Sequence, residues 1–232
     1  MKIFVTGGTG YIGSHTVVEL QKNGYDVIIA DNLVNSSLEV LDGIEKITGI
    51  RPEFEEIDLT DGEVTRDFFA RHSDIRAVIH FAALKAVGES VSKPLEYYFN
   101  NLNSLMNVLT CMREFKVPNL VFSSSCTVYG QADVLPVTEK TPRHEAESPY
   151  GNTKVMSEDI IRDLMRVEPD MKALALRYFN PIGAHPTAFI GELPNGVPNN
   201  LIPYLTQTAI GIREQLSVFG DDYNTPDGSP LR

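Results

Sequence analysis

The chain has 232 residues, 42% hydrophobic and 22% charged, and its 31 acidic against 20 basic side chains give a formal net charge of −11. This composition is that of one large globular domain or slightly more, and its negative charge argues against nucleic acid and anionic membranes as general partners. The two cysteines form no zinc-type cluster, and no signal-peptide or transmembrane stretch is visible. We therefore predict no metal site and a reducing, cytoplasmic location.

Strand-like and helix-like segments alternate along the first 180 residues. Apolar, β-branched runs predict strands at 2–6, 26–31, 77–83, 119–125 and 172–180, and three- to four-residue periodicity predicts helices at 11–23, 62–72, 94–115 and 150–166. Strands that are apolar on both faces belong to a parallel sheet covered by helices on both sides. We therefore predict a doubly wound α/β (Rossmann) fold, in which ligands bind beyond the carboxyl ends of the strands.

The first predicted strand runs into the segment TGGTGYIG, residues 6–13. Gly7, Gly10 and Gly13 have the spacing at which glycine permits a tight turn, backbone contact with a pyrophosphate and close packing of helix on strand. The helix that follows offers free N–H groups and its positive end to phosphates. No Gly-Lys-Ser/Thr follows the glycines, which excludes a P-loop. A purely structural turn is the alternative.

Acidic and small residues end the next three strands. Asp31 lies 18 residues beyond Gly13, where a carboxylate accepts both hydroxyls of an adenosine ribose and repels a 2′-phosphate, so NAD is favoured over NADP. Asp58 ends the third strand and fits equally an adenine contact or the start of a helix. In HFAALK (80–85), small residues let a cofactor lie flat against the backbone, and Lys85 adds positive charge near the ribose or the phosphates.

The helix predicted at 94–115 carries a regular apolar stripe. The residues of the stripe are Leu95, Tyr98, Leu102, Leu105, Leu109 and Met112. Their three- and four-residue steps predict one face directed at the core. A face of this kind, together with the helix at 150–166, also suits a dimer interface, and the sequence does not separate the two readings.

A tyrosine and a lysine four residues apart follow the fifth strand. Tyr150 and Lys154 share one face of a helix, and Ser123, Ser124 and Ser125 end the strand before it. A phenol with a pKa near 10 is a poor base at neutral pH, but a neighbouring ammonium and a positive nicotinamide ring stabilise its phenolate. Tyr150 is therefore a candidate general base for a substrate hydroxyl, with one serine hydroxyl bound to the same oxygen.

Four segments, TGGTGYIG, SSSCTVYG, SPYGNTK and RYFNPIGAHP, together resemble the extended short-chain dehydrogenase/reductases, and more narrowly their nucleotide-sugar 4-epimerase branch. The likeness covers essentially the whole chain and implies an isomerase of galactose metabolism that interconverts UDP-glucose and UDP-galactose. It implies that Tyr150 takes the proton of the sugar 4-hydroxyl while C4 gives a hydride to tightly bound NAD. Lys154 would tune the tyrosine and hold the nicotinamide ribose, and Ser125 would bind the reacting oxygen. The 4-keto sugar would then turn over and take the hydride back on its opposite face.

Further site residues and the assembly state are implied only by this resemblance. The cofactor would be lined by Tyr11, Ile12, Asn32, Asn35, Ser36, Leu59, Phe81, Ala82, Ala83, Asn100 and Phe179. The nucleotide sugar would meet Lys85, Asn180, Asn200 and Arg232, the last as countercharge for the UDP pyrophosphate. A homodimer is implied as well.

The alternation of strands and helices weakens after residue 180, where prolines and glycines become frequent. We predict an NAD-binding Rossmann domain at 1–180 and part of a substrate-binding lobe at 181–232. Members of the resembling family continue past the position of Arg232 with a segment that bounds the hexose pocket. The sequence therefore does not tell whether N-acetylated sugars are accepted.

Two other functions use the same elements. A nucleotide-sugar 4,6-dehydratase shares the fold, NAD and the Tyr/Lys pair, but it needs an additional acid and base beside the reacting carbon. Relatives of that type carry Asp-Glu directly after the hydroxyl residue of the strand, where this chain has Cys126 and Thr127. A non-catalytic NAD-binding protein is the second alternative, and it has no need of Ser125, Tyr150 and Lys154 together.

Overall fold

The computed structural model describes residues 1–218, 220–223 and 225–229. Its six strands are β1 Lys2–Thr6, β2 Asp26–Asp31, β3 Glu53–Glu56, β4 Ile75–His80, β5 Asn119–Ser125 and β6 Lys172–Tyr178. Its seven α-helices within these ranges are α1 Tyr11–Lys22, α2 Glu39–Thr48, α3 Gly62–Arg71, α4 Val87–Ser92, α5 Pro94–Glu114, α6 Pro149–Val167 and α7 Leu201–Ala209. A 3-10 turn, Cys126–Tyr129, follows β5.

The strands form one parallel sheet in the order β3-β2-β1-β4-β5-β6. The direction of winding reverses between β1 and β4, and in sheets of this type a crevice opens at that point beyond the carboxyl ends of the strands. The predicted doubly wound α/β fold is confirmed.

Side-chain alternation on the central strands explains the two-sided core. Phe4 and Ile28 point into one buried cluster, whereas Val5 and Ile29 point into another. Successive residues of a strand face opposite sides of a sheet, so the side chains of each apolar strand pack against the helices on both sides. The glycine loop after β1 is thus held by a strand that is packed on both faces.

Three local predictions differ from the structure. The fourth strand ends at His80, so Phe81–Ala83 form the loop beyond it. The third strand, which the sequence predicts to end at Asp58, is β3 and ends at Glu56; its sequence EFEE, at the edge of the sheet, contains no apolar run. The apolar stripe of α5 is only half a core face, because Leu105 is fully buried while Leu95 is 80% exposed.

The chain divides into two compact units, Met1–Leu193 and Pro194–Arg232. The boundary predicted at residue 180 stays a prediction. Within the described ranges, no helix has the length and apolar character needed to cross a membrane. No group of three or more His, Cys, Asp and Glu side chains in those ranges is placed to hold a metal ion.

Candidate active site

The glycine loop lies tightly against its neighbours. Gly7 has a φ of +65°, and a Cβ at this position would lie 2.8 Å from the backbone nitrogen of Ala82. A Cβ at Gly13 would overlap the carbonyl oxygen of Gly7. No other residue type fits these two positions without movement of the backbone. The loop therefore brings bare backbone to the carboxyl ends of β1 and β4.

The start of α1 is open to an anion. Gly10 is the N-cap residue with extended backbone, no side chain caps the helix, and its first turn contains no acidic residue. The first N–H groups of a helix lack partners within the helix, and they carry its positive partial charge. Tyr11 and Ile12, which the resemblance assigned to the cofactor, form the first two positions of this helix. The arrangement fits a pyrophosphate.

Asp31 ends β2 and is fixed in place by hydrogen bonds to its carboxylate. It accepts from the backbone N–H of Thr9 at 3.3 Å, from the N–H of Leu33 at 3.0 Å and from the Ser36 hydroxyl at 3.2 Å. Ser36 lies 2.8 Å from the hydroxyl of Thr9. The predicted ribose acceptor is thereby connected to the glycine loop. The other two predicted residues of this segment, Asn32 and Asn35, are exposed in the loop after β2.

Asp58 lies on the same side of the sheet, in the loop after β3. Its carboxylate accepts from the N–H and the hydroxyl of Thr60, at 2.9 and 2.8 Å. The helix cap is provided instead by Asp61, which accepts from two N–H groups of α3. The alternative role of Asp58 as a helix N-terminal acid is therefore taken by Asp61, and its adenine contact remains a proposal. Leu59 beside it is buried.

The loop after β4 is joined to β1 through a buried histidine. Thr6 lies 2.9 Å from His80 Nδ1 and accepts from the N–H of Ala82 at 3.1 Å. Burial, and then the nearby Lys154, lower the pKa of His80 to about 3, so the ring is neutral at physiological pH. Phe81, Ala82 and Ala83 are half-buried here.

Asn101, which sequence reasoning missed, holds the next part of that loop. Its side chain accepts from the N–H of Leu84 and donates to the carbonyl of Leu84, at 2.8 and 3.0 Å. It also donates to Thr153 on α6, at 3.1 Å. Asn100, a predicted cofactor residue, donates to the Asn101 side chain at 2.9 Å. Lys85 is exposed, with its ammonium 3.8 Å from Glu192.

The structure brings Ser125, Tyr150 and Lys154 together at the carboxyl end of β5. Lys154 is 4% exposed, its ammonium donates to the carbonyl of Ser123 at 2.8 Å, and it lies 5.8 Å from the centre of the Tyr150 ring. The Ser125 side chain lies near the Tyr150 hydroxyl and accepts from the N–H of Thr127 at 3.2 Å. Ser148 caps the start of α6 by accepting from the N–H of Gly151, and this fixes where the Tyr150 turn begins.

Burial dominates the ionisation of both catalytic candidates. It raises the pKa of Tyr150 above its usual value, a shift that the nearby Ser125 side chain opposes. It lowers the pKa of Lys154 to about 8. Both shifts follow from the cost of placing a charged group away from water. The protein alone therefore does not produce the low tyrosine pKa expected from the sequence, which stays a prediction for the state with NAD bound.

A buried ionic network continues the same face of α6. Glu158, one turn beyond Lys154, accepts from the Ser124 hydroxyl at 2.6 Å and from two nitrogens of Arg177 at 2.9 and 2.8 Å. Ser123 and Ser124 of β5 thus contact two successive turns of α6, Ser123 through its carbonyl and Ser124 through its hydroxyl. The sequence indicated the serines but not Glu158, because its partners are distant along the chain.

The remaining predicted residues lie elsewhere. Phe179 and Asn180 are exposed just after β6, and Asn200 precedes α7 in the second unit. Arg232 lies outside the described residues. Near Ser125, the hydroxyl of Thr127 is buried and is the one buried side-chain polar atom in the described part of the chain without a hydrogen-bond partner. It is a further candidate contact for a polar ligand.

Comparison with known proteins agrees with this geometry. The chain matches the NAD dependent epimerase/dehydratase family over residues 3–232. It is 52% identical over 231 residues to the UDP-glucose 4-epimerase of Dictyostelium discoideum and 53% identical over 232 residues to that of Bacillus subtilis. These alignments cover 100% of this chain and 67% and 68% of the two relatives.

A solved structure gives the same result. The UDP-glucose 4-epimerase of Bifidobacterium longum, in complex with NAD+ and UDP, matches with a TM-score of 0.95 and 47% identity, over 98% of this chain and 68% of that one. This chain thus spans about two thirds of the length of these proteins. The glycine loop, the Ser/Tyr/Lys constellation and these comparisons show that the chain belongs to the NAD dependent epimerase/dehydratase family.

Proposed function

We propose that the protein interconverts UDP-glucose and UDP-galactose with NAD as a resident cofactor. The observation that carries the proposal is the convergence of Ser125, Tyr150 and Lys154 on the sheet edge that also bears the glycine loop. In the strand order, β5 lies two positions from β1, or about 10 Å. An extended dinucleotide reaches from one to the other. Bound NAD supplies a reversible acceptor for the hydride of the sugar carbon.

Tyr150 takes and returns the proton in this mechanism. Its phenolate accepts the proton of the sugar 4-hydroxyl as the carbon loses its hydride, and its phenol gives the proton back when the sugar is reduced on the other face. The Ser125 hydroxyl, which lies near Tyr150, binds the same sugar oxygen and orients it. Both groups need only small movements, because α6 and β5 fix their positions.

Lys154 supplies positive charge from a buried position. Its ammonium, 5.8 Å from the Tyr150 ring centre, stabilises a phenolate more strongly in this buried setting than it does in water. The same group donates to a ribose hydroxyl at the nicotinamide end. Asp31 accepts from the adenosine ribose, and Asn180 meets the nucleotide sugar.

The test uses the chain extended to the length of its relatives. Wild-type protein converts UDP-galactose to UDP-glucose without added NAD, and Tyr150→Phe lowers turnover by about 10²–10⁴-fold, the usual contribution of a general base. NAD released on denaturation is equal in the two proteins. Equal turnover in both would rule out Tyr150 as the base, and release of water from the sugar would indicate a dehydratase instead.

The protein acts as a homodimer in the cytoplasm in this proposal. The outer face of α5 exposes Leu95, Phe99 and Met106, which recur at helical spacing, and Met156 on α6 is also exposed. Contiguous exposed apolar residues of this kind indicate an interface. Sedimentation of wild type as a dimer, and of Phe99→Asp as a monomer, is the expected result. A monomeric wild type would contradict it.

A further inference from the structure

The segment of residues 181–193, here called the strap, follows a path along the carboxyl edge of the sheet. It leaves β6, which is three strands from β1, a separation of about 14 Å. By Gly183 it has reached the start of α1, where the Tyr11 hydroxyl donates to the carbonyl of Gly183 at 2.7 Å. The chain therefore passes the carboxyl ends of β5 and β4 on its way.

The strap then hooks over α1 and α2. It turns back on itself through a hydrogen bond from the His185 N–H to the carbonyl of Ile190, at 3.0 Å. Ile190 is 3% exposed and belongs to the core cluster formed by β1, β2, α1 and α2. Two residues later, Glu192 lies 3.8 Å from Lys85 in the loop after β4. The strap thus touches both sides of the crevice.

Gly43 in α2 explains how residues 189–190 of the strap pack against this helix. A Cβ at this position would overlap the carbonyl oxygen of Phe189. Glycine in the middle of a helix is destabilising relative to alanine. Gly43 therefore lowers the stability of α2 but permits the close contact with Phe189. On the same helix, the Lys46 ammonium lies 5.5 Å from the centre of the Phe189 ring.

We propose that the strap retains NAD, and that Gly43 and Ile190 are positioning residues that seat it. The proposal rests on the function proposed above and adds a physical cause for a cofactor that stays bound through many turnovers. The strap is attached at Lys85 and at α2, and these two places would flank a dinucleotide held by the glycine loop, which packs against Ala82 in the loop after β4. The dinucleotide dissociates only when residues 189–190 of the strap separate from α2.

The experiment measures the exchange of bound NAD for isotopically labelled NAD in the protein extended to the length of its relatives. Gly43→Ala prevents the close approach of Phe189 and is expected to raise the exchange rate at least tenfold. Ile190→Ala removes the strap side chain that is buried against α1 and α2, and it is also expected to raise the NAD exchange rate at least tenfold. Gly88→Ala is the matched control, because a Cβ at this helical glycine meets nothing within 4 Å.

Hydrogen exchange gives a readout that is independent of turnover. In Gly43→Ala, the amide of His185 should exchange faster, while amides of β1 and β5 keep the protection of wild type. Unchanged NAD exchange in both variants, with wild-type protein holding NAD, would overturn the role of the strap alone. A wild type that holds no NAD would overturn the proposed function, and the strap's role with it.

Discussion

The nucleotide side and the chemical side of the crevice are built from different materials. Around β1 and β2, the site consists of backbone, close glycines and one carboxylate, Asp31, held by three hydrogen bonds. Around β5 and α6, it contains a buried ammonium, Lys154, and a nearly buried carboxylate, Glu158. Desolvating a charged group costs more free energy than desolvating a backbone amide. We infer that the first side is built for affinity and that the second side sacrifices stability for reactivity.

The largest effect is expected on the nucleotide side. Gly13→Ala places a methyl group against the carbonyl of Gly7, and we expect a loss of about 3–5 kcal/mol divided between NAD binding and folding, as for other forced backbone shifts. The measurement is NAD affinity by calorimetry together with the free energy of unfolding. Gly88→Ala is the matched control, because a Cβ at this helical glycine meets nothing within 4 Å. Equal losses of NAD affinity and stability in the two variants would contradict a special role for the close packing of the glycine loop.

A smaller effect, with a clear pH dependence, is expected at Lys154. Its pKa is about 8 in the folded protein against 10.5 ordinarily. Between these values the unfolded chain binds more protons than the folded one, so the stability of wild type rises with pH. Below pH 8 the full cost of the buried ammonium is present.

The comparison variant is Lys154→Met, which removes this titration. We expect the stability of wild type relative to the variant to rise by about 3 kcal/mol between pH 7 and pH 10.5, at about 1.4 kcal/mol per unit of pKa. Urea unfolding of the cofactor-free proteins at the two pH values measures the difference. A flat difference would show that Lys154 is not desolvated.

The smallest effect is expected at the ionic network. Ser124→Ala removes one of the hydrogen bonds to the Glu158 carboxylate, and we expect a loss of about 1–2 kcal/mol in stability, since bonds to charged groups are the stronger ones. NAD affinity should be unchanged because the network faces α6 and not the cofactor side. If Ser124→Ala lowered NAD affinity as much as Gly13→Ala does, the distinction between the nucleotide side and the chemical side would be wrong.

The nucleotide side was the more predictable one from sequence. Its residues follow strands that can be recognised from local apolar runs, and glycines at a fixed spacing form a recognisable motif. These residues are Gly7, Gly10, Gly13 and Asp31. Asn101, Glu158 and the seat of Ile190 on α2 escaped prediction. Their partners lie far along the chain, so only the folded sheet reveals them.

The stripe of α5 shows a second limit of sequence reasoning. Apolar spacing identifies a face but not what covers it, and here one continuous stripe runs from the buried Leu105 to the exposed Leu95. The bounds of β3 escaped prediction for the opposite reason, because its EFEE sequence at the sheet edge has little apolar content. Burial, and not periodicity, decides both cases.

The central claim is that the Tyr150 proton transfer accompanies the loss of hydride at the sugar. A single-turnover measurement tests it most directly, by following the near-ultraviolet absorbance of reduced nicotinamide after UDP-galactose is added to protein with NAD bound. We predict that the signal forms in wild type and forms at least about 100-fold more slowly in Tyr150→Phe. Formation at equal rates in the two proteins would contradict the account.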